Sequence, residues 1–144
     1  MGGRITKLGN RIQKKRSSTK SSNVYLSFLI KIYRFLSRRT NSKLNQIILH
    51  RLLMSRKNQP SISLSRVILM SSKEKTKTIV VVGKILNDER ILKVPKISIC
   101  ALRVSSAARK RILNSGGQVF TFDQFAVKFP TGKNSLLLRG PKKE

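Results

Sequence analysis

No carboxylate precedes Glu74. Residues 1–73 carry 17 lysines and arginines and no acid at all. The whole chain of 144 residues has five acids, Glu74, Asp88, Glu89, Asp123 and Glu144, against 32 basic residues, for a formal charge of +27. Soluble domains of this size usually hold a net charge of magnitude about 2–8. Internal ion pairs cannot neutralise the first half, and self-repulsion of that size opposes compaction unless an external polyanion is near. Nucleic acid is the natural one, because each neutralised phosphate releases condensed counterions.

Several function classes fall away. The one histidine, His50, has no carboxylate near it in sequence, and a catalytic triad needs an orienting partner. Cys100 lies between Ile99 and Ala101 in an apolar run and reads as a buried, inert thiol. One Cys and one His do not make a zinc site, and a two-metal centre wants more converging acids than Asp88-Glu89. No enzyme, cofactor, metal or small-molecule substrate is expected. The lone cysteine suits a reducing compartment. No apolar run reaches the roughly 20 residues of a membrane span, and no secretory signal is expected, because the basic start meets no apolar run before Val24. Met1-Gly2 with Thr6 matches the myristoylation pattern, but so short a motif matches by chance.

Along the chain, residues 1–22 are Gly, Ser, Thr, Lys and Arg with few apolar anchors, and read as an arm that orders on binding. Ser22-Asn23 caps a helix over 24–39, with Tyr25, Phe28, Leu29, Ile32 and Leu36 at helical spacing and Val24, Leu26, Tyr33 and Phe35 widening the apolar face. That width predicts a substantially buried helix. Thr40-Asn41-Ser42 breaks it and caps a second helix over 43–56, so the two form a hairpin. A shorter helix follows from Ser63 to Met70. The period then changes. Residues 78–86 are β-branched and apolar, a buried strand in which Gly83 signals a bulge or close backbone contact. After a turn at 87–90 come a strand over 97–104, a helix from Ser105 to Gly116-Gly117, a strand over 118–122, a helical turn capped by Asp123, and a strand over 135–139. The pattern predicts a mixed α/β fold. It divides as a basic arm, 1–22, and one domain, 23–144, made of a helical layer (23–70) and an α/β core (78–140).

Basic residues are the candidate site. Lys14, Lys15 and Arg16 are the densest cluster of the arm. Arg34, Arg38, Arg39, Lys43, Arg51, Arg56, Lys57 and Arg66 lie on or beside the helical layer, Arg109, Lys110 and Arg111 on the later helix, and Lys133, Lys142 and Lys143 near the C-terminal end. Arginine grips phosphate through paired donors, lysine as a point charge. Asn41, Ser42 and Ser63 add hydrogen bonds suited to phosphate or 2′-hydroxyl groups. Zinc-finger spacings and basic-zipper heptads are missing, so RNA read by shape and backbone fits better than base-edge reading of DNA. The loop 130–134 lacks the glycine and hydroxyl of a nucleotide loop and reads as a tight turn exposing Lys133.

Long blocks carry a resemblance. VYLSFLIKIYRFLSRR at 24–39 runs into TNSKLNQIILHRLLMSR, followed by SLSR at 63–66, VVVG at 80–83, VPKISICALRV at 94–104, GGQVFTFDQFA at 116–126 and PTGKNSLLLRGPKK at 130–143. Together they resemble the eukaryotic ribosomal large-subunit protein eighteen family, relatives of bacterial large-subunit protein fifteen. The resemblance implies a structural, non-enzymatic protein bound to large-subunit ribosomal RNA and neighbouring ribosomal proteins. It implies nucleolar assembly, work in cytoplasmic ribosomes, and an irregular β-β-α core with the helical pair to one side. The matched blocks imply RNA-facing roles for Arg38, Arg39, Asn41, Arg56, Arg66 and Lys133. Two departures stand out: residues 3–22 match poorly, and the family's basic tail past Lys143 is not present, an expectation of a compacted ribosome. A DNA-compacting protein and a membrane-active cationic protein are the competing readings, the second suggested by the amphipathic 24–39 segment.

Overall fold

The structure, a computed structural model, describes residues 16–142. A five-stranded, all-parallel sheet forms the middle layer. Its strands are β1 (Ile62–Ser63), β2 (Thr78–Leu86), β3 (Ser98–Val104), β4 (Gln118–Phe120) and β5 (Ser135–Leu138). Helices α1 (Val24–Thr40), α2 (Lys43–Leu53), α3 (Leu64–Ser71), α4 (Ser106–Asn114) and α5 (Phe122–Lys128) complete the mixed α/β fold the sequence predicts.

Strand β2 explains the layering. Its first six residues, Thr78 to Gly83, are all buried, as a parallel strand covered on both faces requires. Val80 and Val82, with Cys100 of β3, turn to a core shared with Ile30, Tyr33, Ile48, Leu52, Phe122 and Phe125. Ile79 and Val81, with Ile99 and Ala101, turn to the opposite core beside Leu64, Val67 and Ile112. One sheet face therefore carries α1, α2 and α5, the other α3 and α4. The hairpin does sit to one side, joined across Asn41-Ser42.

Gly83 fulfils both of its expected roles. The β2–β3 register shifts between Val81 and Lys84, and a Cβ at Gly83 would come 2.9 Å from the Pro60 carbonyl oxygen. Strand β2 shares one edge between two short partners: Thr78–Val81 pairs with β5, and Ile85–Leu86 pairs with β1. Gly83 lies where the Pro60 segment passes between them, so any side chain there would push that segment away.

Parallel pairing of β2 and β3 makes the 87–97 segment a crossover rather than a hairpin turn. It contains no helix. Arg111 of α4 holds it instead, donating to Asn87 Oδ1 at 3.0 Å, to the Asp88 carbonyl at 2.6 Å and to the Ile91 carbonyl. Asp88 anchors the same segment to α3 by accepting from Ser65 Oγ at 2.6 Å.

Four expectations need correction. Helix α2 stops at Leu53; Met54 is extended, and Arg56–Asn58 form a separate 3-10 turn. Gln59 Nε2 donates to the Arg51 carbonyl at 3.0 Å, satisfying an acceptor that one more helical turn would have used. Second, β4 ends at Phe120, because Thr121, not Asp123, is the N-cap of α5; Gln124 Oε1 accepts from Thr121 N–H at 3.2 Å. Third, Ser42 stands at the N-cap of α2 without capping it, its hydroxyl donating to the Thr131 carbonyl at 2.9 Å. Fourth, α1 buries only Ile30 and Tyr33 fully, while Val24, Tyr25, Phe28 and Phe35 are exposed.

Candidate nucleic-acid interface

Two sequence-distant segments are locked together at one end of the helical layer. Asn41, with φ of 50°, takes the left-handed conformation that ends α1. The turn it makes meets the 130–133 loop. Ser42 donates to Thr131, and buried Asn45 donates from Nδ2 to the Pro130 carbonyl at 2.8 Å and to Thr40 Oγ1 at 3.0 Å. Gly132, with φ of 70°, sits directly against the Leu44 side chain, so a bulkier residue is excluded by both conformation and contact. Lys43 is next to Ser42, and Lys133 is two residues from Thr131. The same hydrogen bond therefore ties the backbone segments of both lysines together just after α1, whose last turn carries the exposed Arg38 and Arg39. Arg39 stands 5.6 Å from the Phe35 ring centroid, which steadies its guanidinium without neutralising it.

A second cluster forms where α2 ends. Arg51 is half-buried, 3.5 Å from the Leu138 carbonyl through Nη1, and Arg139 donates to the Asn58 carbonyl at 3.1 Å. Desolvation, and then the like charge of Arg139, hold the Arg51 guanidinium below the usual arginine range. Arg56 and Lys57 are exposed on the adjacent 3-10 turn. Among the described residues the cluster has four cations and no acid, an arrangement that a phosphate would relieve.

On the opposite sheet face, Arg66 of α3 and Arg109 and Lys110 of α4 are exposed. Arg111 differs from its two neighbours, because both of its terminal guanidinium nitrogens already donate to the crossover. Arg34 is exposed and donates to the Ser17 carbonyl at 2.6 Å, tying the segment before α1 back to the helix. Arg16 and Lys142 are exposed; Lys14, Lys15 and Lys143 lie outside the described residues. Only two ion pairs form among the described residues, Lys77 with Glu74 at 3.0 Å and Arg90 with Asp88 at 3.4 Å. Among the described residues, the candidate cations of the helical layer therefore form no ion pair with an acid.

The family model for ribosomal protein 60S L18 and 50S L18e matches residues 4–144. The chain belongs to this family. It is 53% identical over 128 residues to the large ribosomal subunit protein eL18 of Drosophila melanogaster, covering 88% of this chain and 68% of that one. It is likewise 53% identical over 131 residues to the eL18 of Aedes aegypti, covering 89% and 69%. The family is one of ribosomal structural proteins, not enzymes.

In this eL18-family chain the buried thiol and phenol, Cys100 and Tyr33, are structural. Burial, with a contribution from Asp123, pushes the Cys100 thiol far up and leaves it a core side chain. Burial also raises the Tyr33 phenol well above its ordinary value; its hydroxyl donates to the Phe122 carbonyl at 3.1 Å. His50 is exposed. Among the described residues, no three of His, Cys, Asp and Glu gather to hold a metal, and no helix is long and apolar enough to cross a membrane.

Reading the sequence did not single out Arg139, Lys31 or Lys128. Arg139 joins the Arg51 cluster only through the fold. Lys31 is on the exposed side of α1, and Lys128 lies 4.6 Å from the Phe120 ring centroid. The signal for Lys31 was already there, since it falls three residues after Phe28 and four before Phe35 on a helix.

Proposed function

We propose that this chain is a structural constituent of the large ribosomal subunit that clamps large-subunit ribosomal RNA with two cation clusters on its helical layer. The observation that supports this reading is the stapled junction, where the Ser42–Thr131 hydrogen bond ties the exposed residues Lys43 and Lys133 to the end of α1 that carries Arg38 and Arg39, none of them in an ion pair among the described residues. Asn41 adds an amide beside them suited to phosphate or 2′-hydroxyl groups. The second cluster, Arg51, Arg56, Lys57 and Arg139, grips a further stretch of backbone, and Arg66, Arg109 and Lys110 extend contact to the other sheet face. Lys14, Lys15, Arg16, Lys142 and Lys143 supply cations near the two ends of the chain. Arg111 supports this surface from inside by holding the crossover. The eL18 relatives named for the large subunit support the same assembly. Neighbouring large-subunit proteins complete the setting, with assembly in the nucleolus and work in cytoplasmic ribosomes.

The test is salt-dependent binding of the full chain to fragments of large-subunit ribosomal RNA, alongside duplex DNA of equal length. The reading expects tighter RNA binding and a steep fall of affinity with salt, scaling with the number of phosphates neutralised. Equal affinity for the DNA duplex would favour the DNA-compacting alternative. Failure to co-sediment with large subunits would reject the assembly role.

A further inference from the structure

The exposed side of α1 is not simply basic. Phe28, Lys31, Phe35 and Arg38 follow one another at three- and four-residue steps, so they line one face of the helix. Phe28 and Phe35 keep 60% and 51% of their surface, and Tyr25, one turn earlier, keeps 83%. These rings do not belong to either core. Phe28 and Phe35, with Lys31, Ile32 and Leu36, form one wall of a groove whose other wall is α5, through Ala126, Val127 and Asp123. Val127 is 85% exposed, so the far lip is open.

We propose that this groove is a binding site for unpaired nucleotides, in which bases stack on Phe28 and Phe35 while their phosphates run along Lys31, Arg38 and Arg39. The inference deepens the ribosomal-RNA reading above and rests on it. Proteins that hold single strands alternate stacking rings with a cationic track. Here the two rings are about 10 Å apart along the helix axis, with Lys31 between them. A groove built for an apolar protein segment has a core depleted of charge and a charged rim. This one places a lysine in its wall, midway between the two rings. Charge complementarity points the same way, since α1 has no acid anywhere along its length. Asp123, the single carboxylate of the groove, lies on the α5 side. It confines phosphate to the α1 lip and leaves amino edges of bases and ribose hydroxyls as the groups acceptable opposite.

The test uses the full chain, a single-stranded oligoribonucleotide containing 2-aminopurine, and a hairpin RNA of the same length. Stacking on the rings predicts a change in 2-aminopurine fluorescence on binding the wild-type chain. Phe28→Leu and Phe35→Leu keep apolar bulk but remove the ring face. Each should weaken single-strand binding about tenfold, leave hairpin binding within twofold, and reduce the fluorescence change. An unaltered single-strand affinity in both variants would overturn the proposal, as expected of a groove reserved for a protein segment. So would equal losses on single strand and hairpin, or no 2-aminopurine response in the wild type. If the wild-type chain bound neither RNA at low salt, the ribosomal-RNA reading would fail first, and this inference with it.

Discussion

Strand β2 and helix α1 are both apolar segments, and the protein uses them in opposite ways. Every residue from Thr78 to Gly83 is buried, because helices cover both faces of the sheet at that strand. Helix α1 is longer and richer in aromatic residues, yet only Ile30 and Tyr33 are buried fully. Tyr33 carries much of the docking: its ring meets Phe122 edge-on at 5.9 Å and its hydroxyl bonds the Phe122 carbonyl. The rest of the α1 apolar surface divides between a half-buried stripe, Leu26, Leu29, Ile32 and Leu36, and an exposed one that shares its face with cations. Apolar content therefore measures core in β2, whereas in α1 it measures core and recognition surface together.

A charge placed in each segment should separate the two most sharply. Val80→Asp puts a carboxylate between the sheet and the hairpin with no cation to meet it, at a cost of several kcal/mol. Loss of the cooperative thermal transition is expected. Phe28→Asp on the open face of α1 should leave that transition within a few degrees of wild type. If Phe28→Asp unfolded the chain as Val80→Asp does, the contrast between the two segments would be wrong.

Reversing charge at Arg38 and Arg39 comes next in size. Both are exposed, so the double change Arg38→Glu with Arg39→Glu should leave folding intact. It should lower RNA affinity by tenfold or more at low salt and flatten the salt slope by at least two lost phosphate contacts. Incorporation of this variant into large subunits at the normal level would remove the junction from the interface.

The adjacent arginines of α4 offer a finer version of the same contrast. Arg111→Ala leaves three acceptors of the crossover without their donor and should destabilise the fold by about 1–3 kcal/mol, measured by denaturant titration. Its effect on the salt slope of RNA binding should be small. Arg109→Ala, with its side chain in solvent, should do the reverse. Tyr33→Phe is smaller again: the phenylalanine keeps the ring contact and loses one buried hydrogen bond, about 1 kcal/mol.

These contrasts show how much could be read before the fold was known. Mixed α/β class, the helix at 24–40, the strand at 78–86 and the close approach at Gly83 were legible because each has a strong local signature of period, cap or glycine. The two-residue strand β1 was not, since so short a pairing is set by β2 and the passing Pro60 segment rather than by Ile62-Ser63 itself. The end of α2 moved because Gln59 reaches back to Arg51, a side-chain contact no periodicity reports. Charge alone identified the cations but not their partners. It grouped Arg111 with Arg109 and Lys110, although side chains adjacent on a helix point in different directions. It passed over Arg139, whose place beside Arg51 exists only once β5 has paired with β2. The exposure of α1 was misjudged for a related reason: a wide apolar face reads as burial unless the cations interleaved with it are counted on the same face.

The smallest expected effect concerns acid, and it belongs to the face of the sheet away from α1. Asp88 accepts from Ser65 Oγ and from the Arg90 backbone N–H, and these hydrogen bonds hold its carboxyl below the ordinary aspartate value despite a small opposing desolvation. Its folded pKa lies below the unfolded one, so Asp88 adds stability above the unfolded value. That contribution is lost as pH falls through the folded value and the Ser65 bond loses its charged acceptor. Stability measured from pH 7 downward should therefore begin to fall near pH 4 and keep falling below it. Asp88→Asn should remove the part of that slope owed to this one group. An acid profile unchanged in Asp88→Asn would show that the α3 anchor of the crossover works through the hydroxyl contact irrespective of charge. Arg111 alone would then hold that segment electrostatically.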